Sequence, residues 1–389
     1  MNASERRALA GLASLYVFRM LGLFMVLPVM TVYGADYRGS TPALLGMALG
    51  VYGLSQALLQ IPLGMLSDRW GRKPVMYAGL ALFACGSLVA ALTDSVYGLI
   101  AGRMLQGAGA IAAATMALVA DLTRDENRGI AMAVIGAAIG VAFMLAAVLG
   151  PLLAGAGGLS AIFWVTMALA LVGMLLLWRL VPTPESPRRP AVVRGGLGAV
   201  LGNGSVWRLA SGAFFLHLLL TALFVPLPLV LVETLGLPAG SHWKIYGPIM
   251  LGAFVVMLPL MRLAERRGRV REAMLAALFA LGAGAGALRV ESGFPLLALL
   301  SVFFIAFNLL EALMPAQLTR EAPAEARGAA SGLYATVQFL GVFTGGVCGG
   351  WLFNFGGAGA VVVMIFTVLL LWALLWCLLL WRGRTAGTC

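Results

Sequence analysis

The sequence predicts an all-α integral membrane protein of twelve transmembrane helices, arranged as two pseudo-symmetric six-helix bundles. Three observations predict it. Apolar residues make up 61% of the 389-residue chain and charged residues only 11%. Soluble domains run at about 25% charged, so too few charges remain to cover this much apolar surface. Stretches such as 159–181 and 358–381 are almost uninterruptedly apolar. A membrane helix needs roughly 20 such residues, whereas barrel strands show segments of about 10 with alternating polarity. Finally, polar motifs of the first half return in the second half in the same order.

Taken in order, spans are expected at 8–35, 42–66, 75–93, 96–120, 129–154, 158–181, 205–234, 242–264, 272–289, 293–318, 327–354 and 358–381. The apolar run after Glu5, Arg6 and Arg7 is too long for a signal-peptide core, and no small-residue cleavage site follows it, so the first span is expected to stay in the protein. The interruption at 182–204 contains Pro182, Pro184, Pro187 and Pro190 with several arginines. It reads as a linker between an N-terminal bundle, 1–181, and a C-terminal bundle, 205–389.

Loop charge sets the orientation. Of the 26 basic residues, Arg19 and Arg103 fall inside spans, and Arg38, Lys244 and Arg289 fall on one side. The remaining 21 fall on the side that holds both termini. The positive-inside rule places that side in the cytoplasm. This bias also accounts for the net charge of +11 without a nucleic-acid partner. The four cysteines, Cys85, Cys348, Cys377 and Cys389, show neither zinc-site nor disulfide spacing and read as packing residues.

The repeat is carried by three motifs. Ala120-Asp121-Leu122-Thr123-Arg124 returns as Ala316-Gln317-Leu318-Thr319-Arg320, a shift of 196. Glu126-x-Arg128-Gly129 returns as Glu325-x-Arg327-Gly328, a shift of 199. Asp68-Arg69-x-Gly71-Arg72 returns as Glu265-Arg266-x-Gly268-Arg269, a shift of 197. Paired half-repeats with binding near the bilayer midplane are a transporter architecture. The second loop copy has Val270 where the first has Lys73, and Met261 where the first has Gly64, so the first loop is expected to be the stronger latch.

Ionisable groups inside spans need a reason, because a charge at the bilayer centre costs about 2.5–3.5 kcal/mol on insertion scales. Arg19, Arg103, His217 and Glu311 are the candidates for proton coupling. Glu311 is the best proton carrier, with Asn308 one turn away on the same face. His217 is the side chain that titrates nearest neutrality. The plainer readings are a packing histidine for His217, a structural ion pair for Glu311 and snorkelling for the arginines. Tyr52, Gln56 and Gln60 share one face, as do Tyr334 and Gln338, and with Asn308 these are the candidate substrate-binding residues. Phe24, Met25, Met144, Phe214 and Phe307 are candidates for an apolar wall, or else pack against lipid and neighbouring helices. No phosphate-binding loop, nucleophile motif or His/Cys metal cluster is found, so neither an enzyme nor a cofactor is expected.

The loop Gly64-Met65-Leu66-Ser67-Asp68-Arg69-Trp70-Gly71-Arg72-Lys73 resembles the signature of the major facilitator superfamily between its second and third helices. The similarity covers essentially the whole chain. Leu21-Gly22 with Pro28-Val29, and Leu99, Arg103, Gln106-Gly107 and Gly109-Ala110, resemble the superfamily's patterns in spans 1 and 4. Gly150-Pro151-x-x-Ala154-Gly155 resembles the antiporter pattern of span 5, with Ala146 and Ala154 where glycine is usual. The chain is thus similar to the drug:proton antiporter branch. The run Arg19–Pro28, with the stretches 307–315 and 338–341, is most like the YajR group of proton-driven exporters. That group carries a further soluble domain after span 12. Here eight residues follow Trp381, so a chain without that domain is expected.

The resemblance implies a monomeric, proton-coupled exporter of small amphipathic molecules in the bacterial inner membrane. The alternative is a proton symporter or facilitator importing a metabolite. It also implies a conformational gate of Gly64, Asp68, Arg69, Gly71, Arg72, Lys73, Asp121 and Arg128. In that gate Asp68 docks at the start of span 11, near Arg327, and Arg72 pairs with Asp121 when the protein faces outward. The pattern at Gly150, Pro151 and Gly155 points to export.

Overall fold

A computed structural model of the chain describes residues 1–183, 196–323 and 326–385. The expectations placed on Pro184, Pro187, Pro190, Arg188, Arg189, Arg194, Glu325 and Cys389 lie outside these residues. Those placed on the side chains of Arg382 and Arg384 do so as well.

Among the described residues, ten helices are long and apolar enough to cross a membrane. Two of them, Arg128–Arg179 and Arg327–Thr385, break at glycine into two arms each, which makes twelve spans. In order they are α1 (Ala3–Phe24), α2 (Pro42–Trp70), α3 (Arg72–Leu92), α4 (Val96–Leu122), α5 and α6 (128–156 and 159–179), α7 (Gly204–Phe224), α8 (Trp243–Arg266), α9 (Val270–Ala285), α10 (Gly293–Glu321), and α11 and α12 (327–356 and 358–385). Ala3 and Thr385 therefore end on one face, here called the terminal side, opposite a far side.

Local chemistry sets the ends. Asn2 and Glu5 form a reciprocal capping box at α1, with Glu5 N donating to Asn2 Oδ1 at 2.7 Å and Asn2 N donating to Glu5 Oε2 at 2.8 Å. Thr41 caps α2 ahead of Pro42, and Asn203 caps α7. Every left-handed backbone position among the described residues is a glycine, and the six form three pairs. Gly39 and Gly236 are 197 apart, Gly71 and Gly268 are 197 apart, and Gly158 and Gly357 are 199 apart. The backbone thus repeats at the same shift as the motifs, at positions where a Cβ is disfavoured.

Three expected spans are interrupted. The stretch 8–35 breaks at 25–29 and resumes as the short helix Met30–Tyr33, because Pro28 has no N–H to continue the ladder. The stretch 205–234 breaks at Val225–Pro226 and resumes as Leu227–Leu235 for the same reason. The α4 span breaks at Gly109–Ile111, where Gly79 and Gly109 bring α3 and α4 into close approach.

The halves meet on the far side through glycine. A Cβ added to Gly46 on α2 would lie 2.6 Å from the Gly350 Cα on α11. One added to Gly50 would lie 2.6 Å from the Phe343 carbonyl, and one added to Gly53 would lie 2.5 Å from the Phe339 carbonyl. Gly155 on α5 similarly faces Gly240, just before α8, at 3.1 Å. Helices in lipid associate by such packing rather than by a hydrophobic drive. Toward the terminal side the same helices stand apart. Cβ atoms added at Gly129, Gly136 and Gly140 on α5, or at Gly328 and Gly332 on α11, would meet nothing within 4 Å. The bundle is closed on the far side and open on the terminal side.

Candidate transport site and gate

The middle of the N-terminal half is polar on one face of α2. The seam residues Gly46, Gly50 and Gly53 continue at helical spacing to Gln60, with Gln56 beside it. Gln56 Nε2 donates to Gln60 Oε1 at 3.1 Å. Arg19, on α1 and only 2% exposed, donates through Nη2 to Gln56 Oε1. Its Nε and Nη1 have no hydrogen-bond partner.

Tyr52 is wholly buried, with the Arg103 guanidinium 4.8 Å above its ring. Arg103 ties four helices together. It donates to the carbonyl of Gly22 on α1 and of Ala48 on α2, both at 3.4 Å. It also donates to Gln106 Oε1 at 2.8 Å, and Gln106 passes the chain to Ser87 on α3, again at 2.8 Å. This network accounts for a fully buried arginine better than snorkelling does.

The facing wall belongs to the C-terminal half. His217 on α7, Glu311 on α10 and Gln338 on α11 converge there. His217 Nε2 lies 2.7 Å from Gln338 Nε2 and 3.7 Å from Glu311 Oε2. Gln338 Nε2 is 3.5 Å from Glu311 Oε1. The other ring nitrogen of His217 lies 3.1 Å from the Ala213 carbonyl, which fixes the ring. Glu311 keeps 28% of its side chain exposed, while its Oε2 is buried without a hydrogen-bond partner. Tyr334 is buried with an unpartnered hydroxyl. Asn308 lies one turn before Glu311, half-buried, and does not join the cluster.

Aromatic rings bridge the two walls. Phe24 packs edge-on to Phe143 at 5.0 Å, Phe143 lies 5.9 Å from Phe307, and Phe307 lies 5.9 Å from His217. Phe143 carried no sequence signal, because one phenylalanine in an apolar span resembles any other. Met25 lies inside the core beneath Gly150, whereas Phe214, half-buried, packs edge-on to Phe215 at 5.4 Å with its backbone against Gly341. Gly150 thus lets α5 press on α1, and Pro151 follows it inside α5.

On the terminal side, Gly71 makes the α2–α3 turn at φ +94°. Arg72 sits behind it, with its side chain 7% exposed, and gathers three partners. They are Asp68, Asp121 at 3.2 Å and Ser67 Oγ at 2.7 Å. Gly64 approaches Ala113 of α4 and accepts from Ser67 at 2.7 Å. Lys73 donates to the Val181 carbonyl at 2.7 Å, Arg128 reaches the Ala120 carbonyl at 3.5 Å, and Arg69 is exposed. The docking of Asp68 at the start of α11 belongs to the outward-facing state, which this conformation is not. The terminal side is open, and Asp68 pairs with Arg72 instead.

Three ties escaped the sequence reading. Glu5 is 5% exposed and holds Arg124 through Nε and the backbone N, both at 3.0 Å, and Asn127 at 3.2 Å. The Asn2-x-x-Glu5 spacing was the available signal. In the other half Arg208 pairs with Glu321 at 2.6 Å, and Arg320 with Glu265 at 3.2 Å.

A twelve-span bundle of two repeated halves, with polar groups facing each other at its centre, defines a membrane transporter. The Major Facilitator Superfamily profile matches residues 12–258 and 246–388, and the chain belongs to that family. It is 45% identical over 357 residues to the inner membrane transport protein YajR of Escherichia coli (strain K12), covering 90% of this chain and 78% of that one. It is 27% identical over 355 residues to the multidrug resistance protein MdtH of Aeromonas salmonicida (strain A449), covering 87% and 86%. Its fold superposes at a TM-score of 0.81, with 15% identity and 97% of each chain covered, on a bacterial homologue of the human lysosomal transporter Spinster in an inward-facing and occupied conformation.

Proposed function

We propose that this transporter is a proton-coupled exporter of small amphipathic molecules. It works by alternating access in a bacterial inner membrane, as a monomer with both termini in the cytoplasm. The observation that carries the reading is the cluster of Glu311, His217 and Gln338 at membrane depth. A carboxylate and an imidazole in contact are a proton-holding unit, and their placement in one half lets protonation alter what the facing half meets. The name of MdtH and the pattern at Gly150–Gly155 favour export. The closed far side and open terminal side are what an inward-open state requires if the termini are cytoplasmic.

The test is flux in proteoliposomes carrying a pH-sensitive dye inside. A panel of anionic, cationic and neutral amphipathic dyes serves as substrate. Antiport makes substrate entry drive proton exit. Glu311→Gln is expected to abolish uphill movement while leaving downhill exchange. Proton co-entry would instead establish symport, and uphill transport by Glu311→Gln would falsify the assignment of the carrier.

A further inference from the structure

We infer that the substrate carries an anionic headgroup, and that Arg19 with Gln56 and Gln60 forms its receptor. The inference rests on the reading above only in taking the centre of the bundle as the substrate route.

Arg19 is the starting point. A guanidinium offers five N–H donors and no acceptor. Among the described residues only Gln56 receives a hydrogen bond from Arg19, and two of its nitrogens, Nε and Nη1, have no partner there though the residue is 2% exposed. Buried charges are normally paired, because an unpaired one is costly. Among the described residues no element packed near Arg19 supplies the counter-ion, and α5 and α6, which pack on α1, contain no acidic residue. On α1 the neighbour one turn back is Tyr16, and on α2 the neighbours are Tyr52, Gln56 and Gln60, all uncharged in their ordinary forms. On α4 the neighbour beyond Tyr52 is Arg103, a second cation whose Nη2 is also unpartnered. The one facing carboxylate, Glu311, makes no ion pair with Arg19 and is engaged with His217 and Gln338.

The place suits a ligand. Gln56 and Gln60 lie on α2 just past the last contact of the far-side seam, Gly53 on Phe339. Gln338, next to Phe339, starts the opposite wall. The Phe24, Phe143 and Phe307 rings lie between. A planar carboxylate, or a phosphate or sulfonate, would satisfy the orphan donors of Arg19 by the fork geometry that guanidinium favours. The attached apolar body would meet the rings. A cationic amphipath would meet two unneutralised guanidiniums on this wall.

The test is equilibrium binding to the full chain in detergent, read by thermal shift and by calorimetry. The probes are octanoate, octylammonium and octanol, matched in tail. Wild type is expected to prefer octanoate over the other two by at least about tenfold. Arg19→Gln is expected to weaken octanoate by about 30-fold or more, as truncating one partner of a buried charge pair does. Gln56→Glu supplies a carboxylate within the protein. It is expected to raise the melting temperature and to lose octanoate binding, which covers the case of an unfolded Arg19→Gln. The inference is overturned if wild type ignores octanoate, if octylammonium or octanol binds as tightly, or if Gln56→Glu binds octanoate unchanged. Because no gradient is imposed, a failure of proton coupling in the flux assay leaves this result standing, and the reverse also holds.

Discussion

At the scale of single residues, charge placement and partner choice are separate matters. Arg72 and Asp121 are 7% and 8% exposed and meet at the end of α2–α4. Removing one partner of a buried pair costs about 3–5 kcal/mol, because the other is left charged and unpaired. Arg72→Ala is therefore expected to lower the melting temperature sharply, and the swap Arg72→Asp with Asp121→Arg to recover part of the loss. Equal stability of single and double variants would sink the idea that this pair is an anchor. On the far side, Asp94 is held below its usual carboxylate range by the hydrogen bond from Arg38, 2.6 Å away. A depressed folded-state value means the contribution is present above pH 3.8 and is lost as pH falls further. Both groups are largely exposed, so Asp94→Asn is expected to change the acid limb of a pH–stability curve slightly and the neutral plateau not at all.

Residue type and depth were readable from the chain: Arg19, Arg103, His217 and Glu311 stand out because charge in an apolar run is costly. Their partners were readable only in part: Gln106 lies one turn from Arg103 on α4, but the Gly22 and Ala48 carbonyls and Ser87 join the network through contacts between helices. Arg19 and Glu311 carry opposite signs and lie in opposite halves, yet no ion pair joins them. The structure gives each a partner in its own half.

At the scale of helices, glycine has two different jobs. On the far side it permits backbone contact between α2 and α11, and on the terminal side its positions stand open. Gly46→Val is expected to destabilise this conformation by about 1–3 kcal/mol, the cost of overpacking. Spin labels at Asp36 and Glu291 should then report a longer distance across the far side. Gly136→Val meets open space, so the stability is expected to stay within about 0.5 kcal/mol of wild type. Transport is nonetheless expected to fall at least about tenfold, because the added side chains obstruct closure of the terminal side. Undiminished flux in that variant would argue that α5 does not close there. The periodicity that marks a glycine as a packing position is visible in sequence, but which state uses it is not.

At the scale of the whole molecule, the left-handed glycine pairs show that one six-helix design was used twice. The two copies are tied differently at the terminal side. The first uses Arg72 with Asp121 and Glu5 with Arg124, and the second uses Arg208 with Glu321 and Arg320 with Glu265. If the basic side is cytoplasmic, tags placed at the two ends of the chain should both be shielded from protease in intact cells and both be cleaved in inverted vesicles. Cleavage of either tag in intact cells would reverse the orientation.

The chain by itself determined its solvent, its helices and its duplication. Apolar length, loop charge and motif period are local quantities, and lipid forces each apolar stretch into a helix that satisfies its own backbone. Only the tertiary structure decided where those helices break, which partner each buried charge takes and which end of the bundle is open. Prolines are visible in the sequence, but Pro28 and Pro226 interrupt their helices whereas Pro62, Pro248, Pro259 and Pro315 lie inside continuous ones. The pairings depend on distances between segments remote in sequence. The open end depends on which glycine faces meet, here α2 on α11 at the far side, between segments remote in sequence.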